Sequence, residues 1–282
     1  MFLTKNMNKK ILLSLAAALL TASMNAQNVR LYRAGELVAS YSASEVDSVV
    51  FVEETPQHAY VEIGGNKWAT MNVGATSATG KPAQCYGDYF AWGETKPRYT
   101  GITFTSIGNA TFSGWTDEHP DGYVHTDYPT YEGAVLDAEH DAATQNWGAD
   151  WRTPTVDDFR GLIYACTGDS GDVSIGLITT KAPQGGIYWL TEEQEYLPEY
   201  NGAAGVLFID RADTSRRLFL PAMGEIHNNV LYLGGLSGFY YGAELDDESG
   251  YGAEYLCFLP SGVYPQNTYL RFYAHPVRGV MR

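Results

Sequence analysis

From Gly168 to the C-terminus the apolar residues fall in short runs separated by glycine, proline and polar clusters, and nowhere recur at the three and four residue steps of a helix. Over so long a stretch that pattern leaves only short strands joined by turns. The strands are expected at 173–177, 186–190, 205–209, 217–220, 239–241, 254–259 and 269–278. Two helices come before them. One covers 137–147 and ends at Gly148, a residue suited to the left-handed backbone that follows a helix. The other starts after Thr153 or Thr155, with Pro154 in its first turn and Asp157 and Asp158 at its positive end. Val156, Phe159, Leu162, Ile163 and Cys166 share one face of it, so it should pack on a sheet. No fixed-period repeat is present. Helices early and strands late make the class α+β, with a twisted antiparallel sheet in the second half.

Residues 1–26 read as a signal peptide: Lys9 and Lys10 precede an apolar run over 11–20, and small residues follow at Ser23 and Ala26. The run is too short to span a bilayer, so cleavage and export are expected, with no membrane insertion afterwards. The mature chain would be periplasmic, attached to the cell surface or secreted. Residues 27–56 read as a small β segment with strands at 29–32, 37–41 and 49–52, and the main domain covers 60–282. That domain opens on a hairpin, 61–63 and 67–71 around Gly64 and Gly65. Between 97 and 131 no period is sustained, which marks a functional loop or an insertion.

The chain carries 18 basic and 33 acidic residues among its 282, a formal charge of −15. Loss of the first 26 residues removes three lysines and no acid, giving −18. Such a surface repels nucleic acid and anionic lipid. Cations, neutral glycans and basic proteins remain compatible. Cys85, Cys166 and Cys257 lie far apart without metal or redox spacing, and read as buried, inert thiols.

The last sixty residues are rich in tyrosine, glycine, serine and asparagine. Of the 21 tyrosines, eight fall between Tyr232 and Tyr273. Tyr gives wide amphipathic contact at low entropy cost, and Asn and Gly give adaptable hydrogen bonding. His227, Asn228, Asn229 and Tyr232 are expected in a loop, Tyr240, Tyr241 and Tyr251 beside turns, and Tyr264, Asn267, Tyr269, Arg271 and Tyr273 alternating along or beside a final strand. Together they form the candidate ligand-binding surface, for a glycan or a protein. The alternative is an ordinary tyrosine-rich sheet face.

Six stretches in order, KWATMNVGA (67–75), YGDYFAWGE (86–94), NWGADWRTP (146–154), NGAAGVLF (201–208), LFLPAMG (218–224) and HPVRGVMR (275–282), resemble the Fibrobacter succinogenes major paralogous domain. The resemblance covers about 61–282 and implies a C-type lectin-like fold. It is also similar to the variable proteins of diversity-generating retroelements, whose C-terminal segment is diversified for ligand binding. The small β segment resembles the strand module that often precedes such domains in exported proteins of Bacteroidetes. Calcium-dependent sugar-binding lectins would carry Glu-Pro-Asn or Gln-Pro-Asp with Trp-Asn-Asp. This chain has Tyr264-Pro265-Gln266-Asn267 instead, so no calcium sugar site is carried over.

No serine elbow, supported Cys/His pair, phosphate loop or dinucleotide fingerprint is present. No catalytic residue, metal ligand or cofactor is therefore assigned. Calcium stays as an alternative at two acidic runs, Asp117, Glu118, His119, Asp121, His125 and Asp127, and then 244–248. Trp68, Trp92, Trp147 and Trp151 are expected inside, and Arg152 and Arg278 as structural hydrogen-bond forks. The reading is a non-enzymatic binding or adhesion protein, with an extracytoplasmic enzyme on glycans or proteins, or a subunit of a surface assembly, as alternatives.

Overall fold

The computed structural model describes residues 28–33, 36–42, 58–101, 128–228, 230–246 and 250–282. The signal segment, the strand expected at 49–52 and the acidic run from Asp117 to Asp127 lie outside them. The chain divides into two compact units between Glu54 and Thr55. In the first, β1 (Asn28–Arg33) and β2 (Glu36–Ser42) form an antiparallel hairpin with a register shift between Leu31 and Tyr32.

The second unit opens on the expected hairpin, β3 (Tyr60–Ile63) and β4 (Asn66–Ala69). Its turn needs glycine: Gly64 sits at φ 65°, and a Cβ there would come 2.6 Å from the Gly161 carbonyl oxygen. A short helix that the sequence pattern does not reveal, α1 (Pro82–Cys85), follows. Helix α2 (Ala142–Trp147) is shorter than the expected 137–147, because Asp141 caps its start by accepting the amides of Ala143 and Thr144. Asp137 instead closes a turn, accepting from the Glu139 and His140 amides. After β5 (Trp151–Arg152), α3 (Val156–Thr167) begins at Thr155 with a capping box to Asp158, which leaves Pro154 just outside the helix.

Strands then follow without further α-helix: β6 (Val173–Ser174), β7 (Gly176–Leu177), β8 (Gly186–Leu190), β9 (Gly205–Ile209), β10 (Arg217–Pro221), β11 (Glu225–His227), β12 (Val230–Tyr232), β13 (Gly238–Leu245), β14 (Gly252–Leu259), β15 (Gly262–Leu270) and β16 (Val280–Met281). They build three four-stranded sheets, β10-β9-β8-β7, β13-β14-β15-β6 and β3-β4-β16-β5, and the ribbon β11-β12. All pairs are antiparallel except β7 with β8. The fold is therefore α+β, with few helices and mostly antiparallel sheets.

The strand expected at 269–278 is displaced. β15 ends at Leu270, where the chain turns through a Tyr273 amide to Leu270 carbonyl bond. Pro265 lies inside β15 because β6 covers only Gly262 and Val263, leaving an edge where no amide is required on that side.

The main core joins Phe159, Leu162, Ile163 and Cys166 of α3 to Val206 and Phe208 of β9, Leu218 and Leu220 of β10, and Tyr240, Leu256 and Phe258. Trp68, Trp92, Trp147 and Trp151 are buried as expected. All three cysteines are free and buried, and burial pushes each thiol up to about 12. Arg152 acts as the expected fork, donating to Asp158 at 2.5 Å and to the Thr153 carbonyl. Among the described residues no helix is long and apolar enough to cross a membrane.

Candidate ligand-binding surface

The ribbon β11-β12 gains a third partner where the Ile226 and Ala274 amides and carbonyls exchange bonds of 2.9 and 2.8 Å. Side chains alternate across strands, so Ile226, Leu231 and Ala274 enter the core while Glu225, His227, Tyr232, Tyr273 and His275 share the opposite face. On that face the His227 ring lies between two phenols, 4.0 Å from Tyr232 at 2° and 4.0 Å from Tyr273 at 17°. Tyr269, at the end of β15, leans on Tyr273 at 4.9 Å. Phe272 continues the row from Tyr273 to Tyr128, and Tyr128 meets Tyr251 at 5.4 Å. Tyr269 and Tyr251 are the most open of these rings, 48% and 61% exposed.

Charge enters this face through Glu225. Its Oε2 lies 3.1 Å from Nε2 of His275, whose ring is fully buried and stacked on Tyr241 at 4.4 Å. Burial lowers the proton affinity of His227, with Glu225 pulling it up and His275 pushing it down, so its ring is neutral near neutral pH. Burial, the Tyr269 hydroxyl and the Glu225 charge all hold the Tyr273 phenol protonated.

The structure gathers His227, Tyr232, Tyr269, Tyr273 and Tyr251 into this row, and Asn228 is exposed at the adjoining turn with φ 52°. Asn229 lies outside the described residues. Tyr264 and Asn267 are half-buried on β15, and Tyr264 packs towards Phe239 and Tyr255. Four expectations need correction, and the first is Tyr273, whose ring is buried under His227, Tyr269 and Phe272. Tyr240 and Tyr241 are core residues, because β13 is buried on both faces and its adjacent tyrosines enter opposite sides. The Tyr240 hydroxyl donates to the Pro221 carbonyl and that of Tyr241 to the Tyr273 carbonyl, at 2.9 and 2.7 Å. Arg271 is also buried, donating to the Tyr131 carbonyl and lying over the Tyr128 ring, so it braces the row from beneath.

Compared with family models, curated proteins and solved structures, the chain finds no match. Its chemistry must be read from the surface alone. Glu225, His275, Phe272 and Tyr128 escaped the sequence reading: β11 is too short to show a period, and Tyr128 arrives from a distant part of the chain.

Other polar groups are committed elsewhere. Glu244, first of the second acidic run, accepts the Val156 amide at the start of α3. Among the described residues no group of three or more His, Cys, Asp or Glu is placed to hold a metal ion. An open cleft of about 800 Å³ is lined by Lys81, Gln84, Asn201, the acidic run 192–195 and the glycines Gly80 and Gly202, and has no aromatic wall.

Proposed function

We propose that this is an exported, non-enzymatic binding or adhesion protein, with a lectin-like domain that holds an aromatic row out to a glycan or protein. The observation that carries the reading is the row itself, rings in mutual contact from Tyr232 to Tyr251 with open members at Tyr269 and Tyr251. Rigid aromatic surface of this kind supplies contact area with little entropy left to lose. The lectin-like assignment draws support from where four of the six resembling stretches meet. Asn72, Tyr86, Phe219 and Arg278, from four of them, are joined by buried hydrogen bonds, so those stretches form framework.

The test is the double variant Tyr251→Ala with Tyr269→Ala, compared with the parent on an array of glycans and cell-surface proteins. Both side chains are exposed, so the expected change in stability is within about 0.5 kcal/mol while ligand retention is lost. Equal retention by the two proteins would refute the reading. A large fall in melting temperature would instead assign these rings to structure.

A further inference from the structure

We propose that the Glu225 end of the row takes a cation, an ammonium or guanidinium group carried by a basic protein partner. This rests on the binding reading and narrows it to one ligand charge. Glu225 is held in place by His275 through one carboxylate oxygen, with only 15% of its side chain exposed. Its other oxygen, Oε1, has no hydrogen-bond partner among the described residues and is not sealed in the interior. His275 positions the carboxylate: its Nε2 faces Glu225 at 3.1 Å, and its ring is fully buried against Tyr241.

The surroundings favour a cation over a sugar. In the stack the faces of His227 are both covered by neighbouring rings, and Tyr273 is covered by His227, Tyr269 and Phe272. A pyranose would find ring edges there. Tyr232 ends the row and Tyr269 branches from Tyr273, each against a single ring among the described residues, and each keeps an outer face that attracts a cation. No lysine occurs in 225–232 or 262–275, and Arg271, the one arginine there, is turned away to the Tyr131 carbonyl. Arg98, which reaches the Phe272 carbonyl, is fully buried and paired with Glu94, so it is committed there rather than to Glu225. A formal charge of −15 also steers basic partners towards the molecule.

The experiment uses calorimetry on the mature chain in 0.15 M salt. The probes are tetralysine with blocked ends, the same peptide acetylated on every side chain, and maltohexaose. Tetralysine is expected to bind and the acetylated peptide to fail. Glu225→Gln should weaken tetralysine binding at least tenfold, whereas Glu193→Gln in the distant cleft should change it less than twofold. Equal effects of the two substitutions would reduce the attraction to net charge and overturn the proposal. Binding of maltohexaose alone would overturn it and leave the binding reading standing. Failure of all three probes would also overturn it, and the Tyr251 and Tyr269 array comparison would still judge the binding reading separately. Should Glu225→Gln not fold, Tyr232→Leu replaces it: a several-fold loss for tetralysine is expected, and an unchanged affinity overturns the proposal.

Discussion

At the residue scale, the same side-chain type does opposite work according to which face of a strand it occupies. Tyr240 is fully buried and Tyr269 is half open, yet both are tyrosines on strands of one sheet, β13 and β15. Asp88 shows how much such placement alters chemistry. Its carboxylate lies against Gly74, where a Cβ would meet Oδ2 at 2.2 Å and where φ is 81°, so glycine is required. No donor among the described residues satisfies that carboxylate, and burial raises its proton affinity from 3.8 to about 6. The folded state therefore holds this proton over a range in which the unfolded chain has released it. The resulting penalty is absent below about pH 4, grows as pH rises, and is complete above about pH 6. Asp88→Asn is expected to raise the melting temperature relative to the parent at pH 7, with the difference closing below pH 4. A constant difference across that range would show that Asp88 does not titrate as its burial requires.

At the element scale, α3 backs the sheets that carry the ring row, and its start depends on few contacts. Thr155 accepts the Asp158 amide at 3.2 Å, Asp158 returns to the Thr155 amide at 2.7 Å, and Arg152 holds Asp158. Thr155→Ala is expected to cost about 1 kcal/mol, read as a shift of the urea midpoint, and Thr155→Ser to restore most of it. Elements of this kind were legible. The α3 face, its Thr155 start, and strands β8 and β9 follow from apolar spacing and turn residues, which are local signals. β15 was misplaced because Pro265 and the polar Gln266, Asn267 and Thr268 interrupt the apolar alternation that marks a strand, while an edge position tolerates them. The candidate surface was half legible for a related reason. Tyrosine density pointed to the right region, but only pairing across strands decides that Tyr273 meets His227 while Tyr241 meets His275. Glu225 was invisible because its role comes from Tyr232 and His275, residues brought to it by two other segments.

At the scale of the whole larger unit, its first and last segments are joined, Val280 pairing with Trp68 on one side and Arg152 on the other. Arg278 secures that closure. Fully buried and facing no carboxylate among the described residues, it donates to Asn72 Oδ1 at 2.8 Å, the Ala69 carbonyl at 2.9 Å and the Phe219 carbonyl at 3.1 Å, so it ties β4 and β10 to the last segment. Burial lowers its proton affinity to about 10, against the opposing pull of Tyr240, so it remains charged at neutral pH. Arg278→Met keeps much of the volume but leaves two carbonyls and an amide oxygen without donors. Each such loss costs about 1–3 kcal/mol, and the sum approaches the 5–15 kcal/mol that holds a typical domain together. Arg278→Lys should recover only part, because one ammonium cannot reach three acceptors arranged for a planar fork. Urea unfolding should show a loss of several kcal/mol for Met and a smaller one for Lys. The ring row lies apart from these bonds, so the folded fraction of either variant should bind with parental affinity. A parental midpoint for Arg278→Met would mean that the sheets close without this node, and the framework would have to be sought in apolar packing alone.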